Sequence, residues 1–330
     1  MISEIFWRRP MEGLKFPEGV LEARERIKKE VFHTPLAPSM ELSRSLGAQV
    51  RLKWENKQVT GSFKFRGALN RVRTLTPEER QRGVVSASTG NHGLALSLAC
   101  QLEEIPLLLL VPQSASADKL RRLDEAGAQV VCYEGSCDEA ELYGRKLASD
   151  LGRIFISPYN DPEIIHGQGT IGPELLEDWP ELEDILVPVG GGGLISGLAG
   201  FIKAVEPTVR IFGVEPENSA FMAASLKAGE IVKIEEKETL ADAVAGGIEP
   251  GSVTFDLCRQ YVDAIITVKE ELIRQAMDLI YLEHSRMVEG AGALALAGLI
   301  KEAHNFRGRR VALIVSGGNV SPDLFSHLQK

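Results

Sequence analysis

The sequence is poor in cysteine, has no excess of positive charge and contains no long apolar segment. Its 330 residues include four cysteines and no C-x-x-C pair, too few for a disulfide-stapled secreted scaffold, so a reducing, cytoplasmic location is expected. The net charge of −9 leaves no surplus of lysine and arginine to neutralise phosphates, which disfavours a nucleic-acid partner. The longest aliphatic run, Leu107 to Val111, is too short to cross a bilayer, and segment 1–16 lacks the apolar core of a signal peptide. We therefore expect a soluble protein with no membrane partner.

Internal repeats, proline-rich linkers and blocks of like charge are also missing. Short apolar runs alternate with longer segments of helical spacing, for example Ser116 to Ala126 with Gly127 at its end, which is typical of α/β folds with helix-covered parallel sheets. At about 150 residues per domain, the length suggests two lobes with a cleft. The candidate strands are Gln49 to Trp54, Val84 to Ser86, Leu107 to Val111, Gln129 to Cys132, Ile185 to Val189, Arg210 to Val214, Ala264 to Val268 and Val311 to Val315.

Four consecutive glycines, Gly190 to Gly193, lie between an apolar run and a helix start at Leu194. In α/β folds, ligands bind beyond the carboxyl ends of the strands. Glycines let backbone N–H groups approach one anion, and the following helix adds its positive end. A flexible turn is the simpler alternative. No lysine follows as in a P-loop, and the dinucleotide fingerprint fits only loosely, so a lone phosphate is the favoured ligand.

Lys64 lies between two phenylalanines in GSFKFRGA, at the start of a helix predicted to begin at Phe65 or nearby. A lysine in an apolar, partly desolvated site binds its proton more weakly and becomes a nucleophile for a carbonyl. Taken alone, Lys64 is an ordinary solvated helix residue. Together with a phosphate loop, it indicates Schiff-base chemistry.

A polar segment, STGNHG at Ser88 to Gly93, follows the strand at Val84 to Ser86. Its hydroxyls could cap the next helix, or free N–H groups there could receive a carboxylate. Asn91 offers both a donor and an acceptor. His92 is interpreted as a structural hydrogen-bonding residue rather than a base.

The ordered set of motifs resembles the fold-type II pyridoxal-phosphate enzymes, in the branch of the threonine/serine dehydratases (ammonia-lyases) and serine racemases. The resemblance implies a two-domain α/β fold similar to the β-subunit of tryptophan synthase, with parallel twisted sheets flanked by helices. It implies a large cofactor domain at 1–72 and 161–330, a small domain at 73–160, and a homodimer. The motifs are HTPL, GSFKFRGA, STGNHG, HGQGTIGPEL, GGGGL, GVEPE, TLADAVAGG, EGAGALALAG and VSGGN.

The resemblance also implies a role for each motif. Lys64 would form the internal aldimine with pyridoxal 5′-phosphate, with Phe63 beside the ring and Asn91 on the ring 3-hydroxyl. Ser316 would bond the pyridine nitrogen, and because a hydroxyl cannot keep that nitrogen protonated, elimination is favoured over transamination. The phosphate would be held by Gly190, Gly191, Gly192, Gly193 and Leu194, and the substrate carboxylate by Ser88, Thr89, Gly90, Asn91 and His92.

The implied reaction is α,β-elimination of water from a β-hydroxy L-amino acid, L-threonine or L-serine, giving a 2-oxo acid and ammonia, with Lys64 removing the Cα proton. A dehydratase for 3-hydroxyaspartate or a β-aryl serine, a serine racemase and a β-replacement enzyme are alternatives. A non-catalytic amino-acid-binding protein and an NAD-dependent oxidoreductase are alternatives from other classes. The residues expected near the substrate's β-carbon are Tyr159, Asn160, Gly246, Gly247 and Glu289.

At three places the sequence departs from the pattern of this branch, and each departure argues against a property found in some of its members. Thr89 stands where the racemases carry a second serine, so racemisation is expected only as a side activity. Phe221 stands where metal-binding members carry an acid, so no metal is expected and Glu215 is interpreted as structural. The 11 residues after Asn319 are too few for a regulatory domain, so feedback inhibition by isoleucine is not expected.

Overall fold

The structure is a computed structural model that describes residues 14–113, 115, 117–135 and 137–320, without the side chains of 118, 119, 137 and 138. Most of the segment searched for a signal peptide therefore lies outside the described residues. Ser116 of the predicted helix and the thiol of Cys137 also lie outside them. Cys100, Cys132 and Cys258 are free thiols.

The chain alternates strands with helices over almost its whole described length. The strands are β1 (Leu36–Pro38), β2 (Gln49–Trp54), β3 (Val84–Ala87), β4 (Leu107–Pro112), β5 (Gln129–Tyr133), β6 (Ile154–Phe155), β7 (Asp184–Pro188), β8 (Arg210–Pro216), β9 (Ala264–Val268) and β10 (Arg310–Val315). The α-helices are α1 (Glu18–Ile27), α2 (Met40–Leu46), α3 (Lys64–Arg73), α4 (Pro77–Arg82), α5 (Asn91–Leu102), α6 (Ala117–Glu125), α7 (Cys137–Asp150), α8 (Pro162–Gly169), α9 (Ile171–Asp178), α10 (Gly193–Val205), α11 (Phe221–Ala228), α12 (Val253–Tyr261), α13 (Glu270–His284) and α14 (Gly290–Lys301).

The strands form two sheets. The larger has the order β1-β2-β10-β7-β8-β9 and the smaller the order β5-β4-β3-β6. Every neighbouring pair is parallel except β1 with β2, which is antiparallel. The carboxyl ends of neighbouring parallel strands therefore lie at one edge of each sheet, where ligands bind in such folds.

Helices cover both faces of the larger sheet. Along β7, Leu186 packs into a core shared with α14, whereas Ile185 and Val187 pack into a core shared with α10. Helix α14 lies close to the sheet because its small residues permit it; a Cβ on Gly298 would lie 2.7 Å from the Val214 side chain. No helix in the described part of the chain is long and apolar enough to span a bilayer.

The predicted α/β class is confirmed, and all eight predicted strands are present with ends within two residues. Strands β1 and β6 were not predicted, because a strand of two or three residues is too short to show an alternation of apolar and polar residues. The helix predicted over Ser116 to Ala126 is α6, followed by Gly127 at φ +76°. All four strands of the smaller sheet fall within 73–160, while the domain boundaries themselves stay a prediction.

Candidate active site

A cavity of about 280 Å³ opens where strands of both sheets end. The segments that follow β3, β7 and β10 all contribute to its wall. Every residue that the sequence assigned to the cofactor or the substrate carboxylate lines this one cavity: Phe63, Lys64, Ser88, Thr89, Gly90, Asn91, His92, Gly190, Gly191, Gly192, Gly193, Leu194 and Ser316.

Lys64 is the first residue of α3, and this half-buried residue lines the cavity. Its Nζ donates to the carbonyl of Pro158 at 2.8 Å and lies 5.2 Å from the centre of the Phe63 ring. Burial lowers the pKa of Lys64 to about 8, an effect that the negative charges of Glu141 and Glu289 partly oppose. The positive end of α3 also disfavours a charged lysine at this position. With this pKa, roughly a tenth of the amine is neutral and nucleophilic at pH 7, and about half at pH 8.

The glycine run forms the turn from β7 into α10. Gly192 adopts φ +88° as the N-cap of that helix, a conformation that favours glycine. A Cβ on Gly191 would lie 2.4 Å from the Tyr159 ring, and one on Gly190 would lie 2.8 Å from the Val244 carbonyl. Side chains at these positions would therefore clash with neighbouring residues, and they would also block the approach of an anion. Its N–H groups and the positive end of α10 suit a phosphate.

The segment after β3 leads into α5, whose N-cap is Gly90. Of the two alternatives for this segment, capping by Ser88 or Thr89 is not what the structure shows: no side chain caps the helix, and the Ser88 hydroxyl instead accepts from the Gly90 N–H at 3.3 Å. A Cβ at Gly90 would meet nothing within 4 Å, so open space faces the start of the helix. The first N–H groups of α5 lack a side-chain acceptor and suit a carboxylate.

His92 is buried at the start of α5. The Ser86 hydroxyl donates its only proton to the Ile156 carbonyl at 2.7 Å, so at 3.2 Å it accepts from the Nε2–H of His92. Burial, helped by the charge of Lys64, lowers the pKa of His92 to about 3. A neutral ring whose Nε2 is already engaged favours the structural role expected from the sequence.

Ser316 follows β10 and is buried beside the lysine segment. Its carbonyl accepts from the Phe63 N–H at 3.0 Å, so this backbone bond ties the carboxyl end of β10 to the start of α3. The Ser316 hydroxyl makes no hydrogen bond within the described chain and lines the cavity. It is therefore available to a ligand atom.

Two expectations outside the cavity can be compared with the geometry. Glu215 accepts from the N–H groups of Met222 and Ala223 at 2.9 and 2.8 Å, so its carboxylate caps α11, in line with a structural role. Burial raises the pKa of Glu215 to about 7. Asn160, expected near the substrate, is not part of the cavity wall; its side chain bonds Glu249 and the Val253 N–H.

Sequence reasoning missed three charged residues of the cavity wall. Arg122, on α6, and Glu141, on α7, lie outside every motif identified in the sequence. Asp242 stood inside a motif without an assigned role. The sequence pattern of a helix does not show whether one of its charged side chains lines a cavity that distant segments form.

The chain matches the family described as "Pyridoxal-phosphate dependent enzyme" over residues 27–317. This chain belongs to that family. An L-threonine ammonia-lyase of Thermotoga maritima is 43% identical over 312 residues, which cover 94% of this chain and 77% of the relative. An L-threo-3-hydroxyaspartate ammonia-lyase of Saccharomyces cerevisiae is 38% identical over 309 residues, 94% of each chain. The structure of maize serine racemase matches with a TM-score of 0.88 at 34% identity, covering 96% of this chain and 99% of that one.

The predicted family branch, its cofactor and its class of enzyme, a lyase, are confirmed by these matches. The cavity of this pyridoxal-phosphate-dependent enzyme fits the cofactor on its own geometry. A glycine turn at a helix start suits the phosphate, and a half-buried lysine with a lowered pKa suits the aldehyde. The free hydroxyl of Ser316 can meet the ring nitrogen.

Proposed function

We propose that this enzyme removes water from L-threonine and L-serine, giving a 2-oxo acid and ammonia. The observation that carries the proposal is Lys64, whose pKa burial lowers to about 8 and which lines one cavity together with the glycine turn before α10 and the uncapped start of α5. Pyridoxal phosphate, when bound, supplies the electron sink that makes the Cα proton of an amino acid removable. The protein has to hold that group, orient the substrate and move one proton.

Holding the cofactor is assigned to the segments after β7 and β10. The turn Gly190 to Gly193 with Leu194 would bind its phosphate, Ser316 its ring nitrogen and Asn91 its ring hydroxyl. Phe63 would pack beside the ring. Because the Ser316 hydroxyl would not keep the ring nitrogen protonated, the bound cofactor would be a weaker electron sink, which favours elimination over transamination.

Orienting the substrate is assigned to the start of α5. The backbone from Ser88 to His92 would receive the α-carboxylate, because helix N–H groups without a side-chain acceptor are a ready anion site. Lys64 Nζ would then take the Cα proton, since a neutral amine near pH 8 is a competent base. The β-hydroxyl leaves with a proton as water, and a second water hydrolyses the resulting enamine to the 2-oxo acid and ammonia.

The charge of the cavity favours a neutral side chain on the substrate. Three acids line it, Glu141, Asp242 and Glu289, against two cations, Lys64 and Arg122. A second carboxylate on the substrate would add negative charge to a cavity whose lining already has more acids than cations. We therefore rank L-threonine and L-serine above 3-hydroxyaspartate, which is the second candidate because of the yeast relative. Racemisation of serine stays a side activity in this proposal.

The test is ammonia release by the purified, cofactor-loaded enzyme. The substrates are L-threonine, L-serine, D-serine, L-threo-3-hydroxyaspartate and a β-aryl serine, with Lys64→Ala as the matched inactive variant. We expect turnover of L-threonine or L-serine that is lost, together with the visible cofactor band, in Lys64→Ala. A parent enzyme with an intact cofactor band and no ammonia from any of the five would overturn the elimination chemistry.

We also propose a homodimer and a cytoplasmic location. The first rests on the resemblance to the dehydratase branch and the second on the cysteine usage of the chain. Light scattering of the purified enzyme at micromolar concentration checks the first, with twice the chain mass of 36.0 kDa expected.

A further inference from the structure

A row of hydrogen bonds crosses the cavity wall from α6 to α14. Arg122 donates through its terminal NH2 to Asn319 Oδ1 at 2.8 Å. Asn319 Nδ2 donates to the Thr60 carbonyl at 2.9 Å and to Asn91 Oδ1 at 2.7 Å. Asn91 Nδ2 in turn donates to Glu289 Oε1 at 2.7 Å. With Thr60 included, these bonds join five segments that are distant in sequence.

Only one orientation of each amide satisfies this row. A guanidinium can only donate, and a backbone carbonyl or a carboxylate can only accept. Asn319 must therefore turn its oxygen to Arg122 and its nitrogen to Thr60. Its second N–H then meets Asn91, which must present its oxygen there and its nitrogen to Glu289. The direction of the whole row is fixed at one end by a cation and at the other by an anion.

Arg122 is well suited to set that direction. Its half-buried guanidinium has no carboxylate within ion-pair distance in the described chain, and the bond to Asn319 is the one it makes there. Its neighbour Arg121 differs, since it is exposed and pairs with Glu125 at 2.6 Å on the same helix. A cation at the head of a row of amides also strengthens the bonds that follow it.

The consequence falls on Asn91. Its oxygen is occupied by Asn319 and one N–H by Glu289, so its second N–H remains for a ligand in the cavity. We propose that Arg122 is a positioning residue which, through Asn319, makes Asn91 present an N–H donor rather than its carbonyl to the cofactor's ring hydroxyl oxygen. The inference rests on the proposed cofactor site. A donor at that oxygen stabilises its deprotonated form.

The experiment measures the absorbance spectrum and the affinity of the bound cofactor in the absence of substrate. The two protonation states of the ring oxygen absorb in different bands, visible when the oxygen is deprotonated and near-ultraviolet when it is protonated. We measure the ratio of these bands and the apparent dissociation constant of pyridoxal phosphate for the ligand-free protein. Asn319→Asp keeps the acceptor for Arg122 but cannot donate to Asn91. Arg122→Met removes the head of the row, and Arg121→Met is the matched control on the same helix.

We expect Asn319→Asp to shift absorbance from the visible to the near-ultraviolet band and to weaken cofactor binding roughly tenfold, equivalent to about 1.4 kcal/mol. Arg122→Met should change both readouts in the same direction, by roughly threefold, since Thr60 still holds Asn319. Arg122→Lys, which keeps a cationic donor, should restore the parent values, and Arg121→Met should match the parent.

Parent-like bands and affinity in both Asn319→Asp and Arg122→Met, with a parent-like circular dichroism spectrum, would overturn the inference. If Asn319→Asp does not fold, the Arg122 variants decide alone. A parent enzyme that binds the cofactor but releases no ammonia would overturn the proposed reaction and leave this inference intact. A parent enzyme with no cofactor band would overturn both.

Discussion

Two cations two residues apart on α3 have opposite surroundings. Arg66 is fully buried, and its guanidinium meets Glu55 at 2.8 Å and Glu174 at 2.6 Å. Burial disfavours its charge, but the two carboxylates outweigh burial and raise the pKa of Arg66. Lys64 donates to a carbonyl and has no carboxylate within ion-pair distance among the described residues, and burial lowers its pKa to about 8.

The contrast shows how one helix can carry both a structural charge and a reactive one. Lys53 adds to the structural side, with its ammonium 2.6 Å from Glu174. A buried charge that is fully paired is inert, while a lysine denied a carboxylate contact keeps its amine available. Lys64 is the first residue of the helix and lines the cavity. Arg66 lies two residues later, on a different face of the helix, and is buried in the interior.

The largest effect is expected when the reactive cation is removed. Lys64→Met should lower ammonia release from L-threonine at least roughly 10⁴-fold, because the covalent anchor and the base are lost together. The ligand-free variant should be no less stable than the parent in urea, since a thioether suits the half-buried site. A stable Lys64→Met enzyme with substantial turnover would contradict the role assigned to Lys64.

Removing the structural cation should instead affect folding. Arg66→Met should lower the free energy of unfolding by about 3–5 kcal/mol, because Glu55 and Glu174 would be left buried and uncompensated. Arg24→Met, which breaks the more exposed pair with Glu177, is the control and should cost less than about 1 kcal/mol. If urea denaturation gave the same loss of unfolding free energy for both variants, the buried ion pairs of Arg66 would contribute no more to stability than the exposed pair.

The pH dependence of cofactor capture sharpens the comparison. Only the neutral amine of Lys64 attacks the aldehyde, so the rate should rise with pH and reach half its maximum near pH 8. An ordinary lysine would place the midpoint about two units higher. Stopped-flow absorbance of ligand-free protein mixed with pyridoxal phosphate measures it, and a midpoint near pH 10 would mean that burial does not tune this lysine.

The smallest expected effect concerns the acid facing Lys64 across the cavity. Glu141 raises the pKa of Lys64, so Glu141→Gln should move the capture midpoint below pH 8, by less than about one unit. Glu139→Gln, at an exposed position on the same helix, should leave the midpoint unchanged. A midpoint that moves upward in Glu141→Gln would contradict the assignment.

The sequence is sufficient for the strands that are long and apolar and for the loops that follow them. Gly190 to Gly193 could be interpreted as an anion site because the run follows an apolar strand, and position relative to a strand is a local property. The role of Ser316 came only from the family resemblance. Lys64 needed its flanking phenylalanines and the other motifs beside it. The opposite pKa shifts of Lys64 and Arg66 could not be predicted. Both residues lie in one short motif, and the difference between them comes from contacts with acids that are distant in sequence.

The parts that could not be predicted depend on contacts between distant segments. Arg122 gains its place from Asn319, and the lack of a side-chain cap on α5 emerges only once the turn geometry of Ser88 is known. Strand β1 is three residues long and antiparallel, with Pro38 at its end, and so departs from every pattern used to find the others. A single sequence does not encode these features locally.

The position of β10 has a consequence for the synthesis of the chain. It is the last strand in the described sequence, yet it lies in the sheet interior, between β2 and β7. Asn319, just beyond it, bonds a residue 259 positions earlier. Such long-range pairing is slow to form. A ribosome-bound chain that has not yet released 310–319 would leave β2 and β7 each with an unpaired edge and would lack Ser316, so the enzyme should acquire its cofactor only after this segment has left the ribosome.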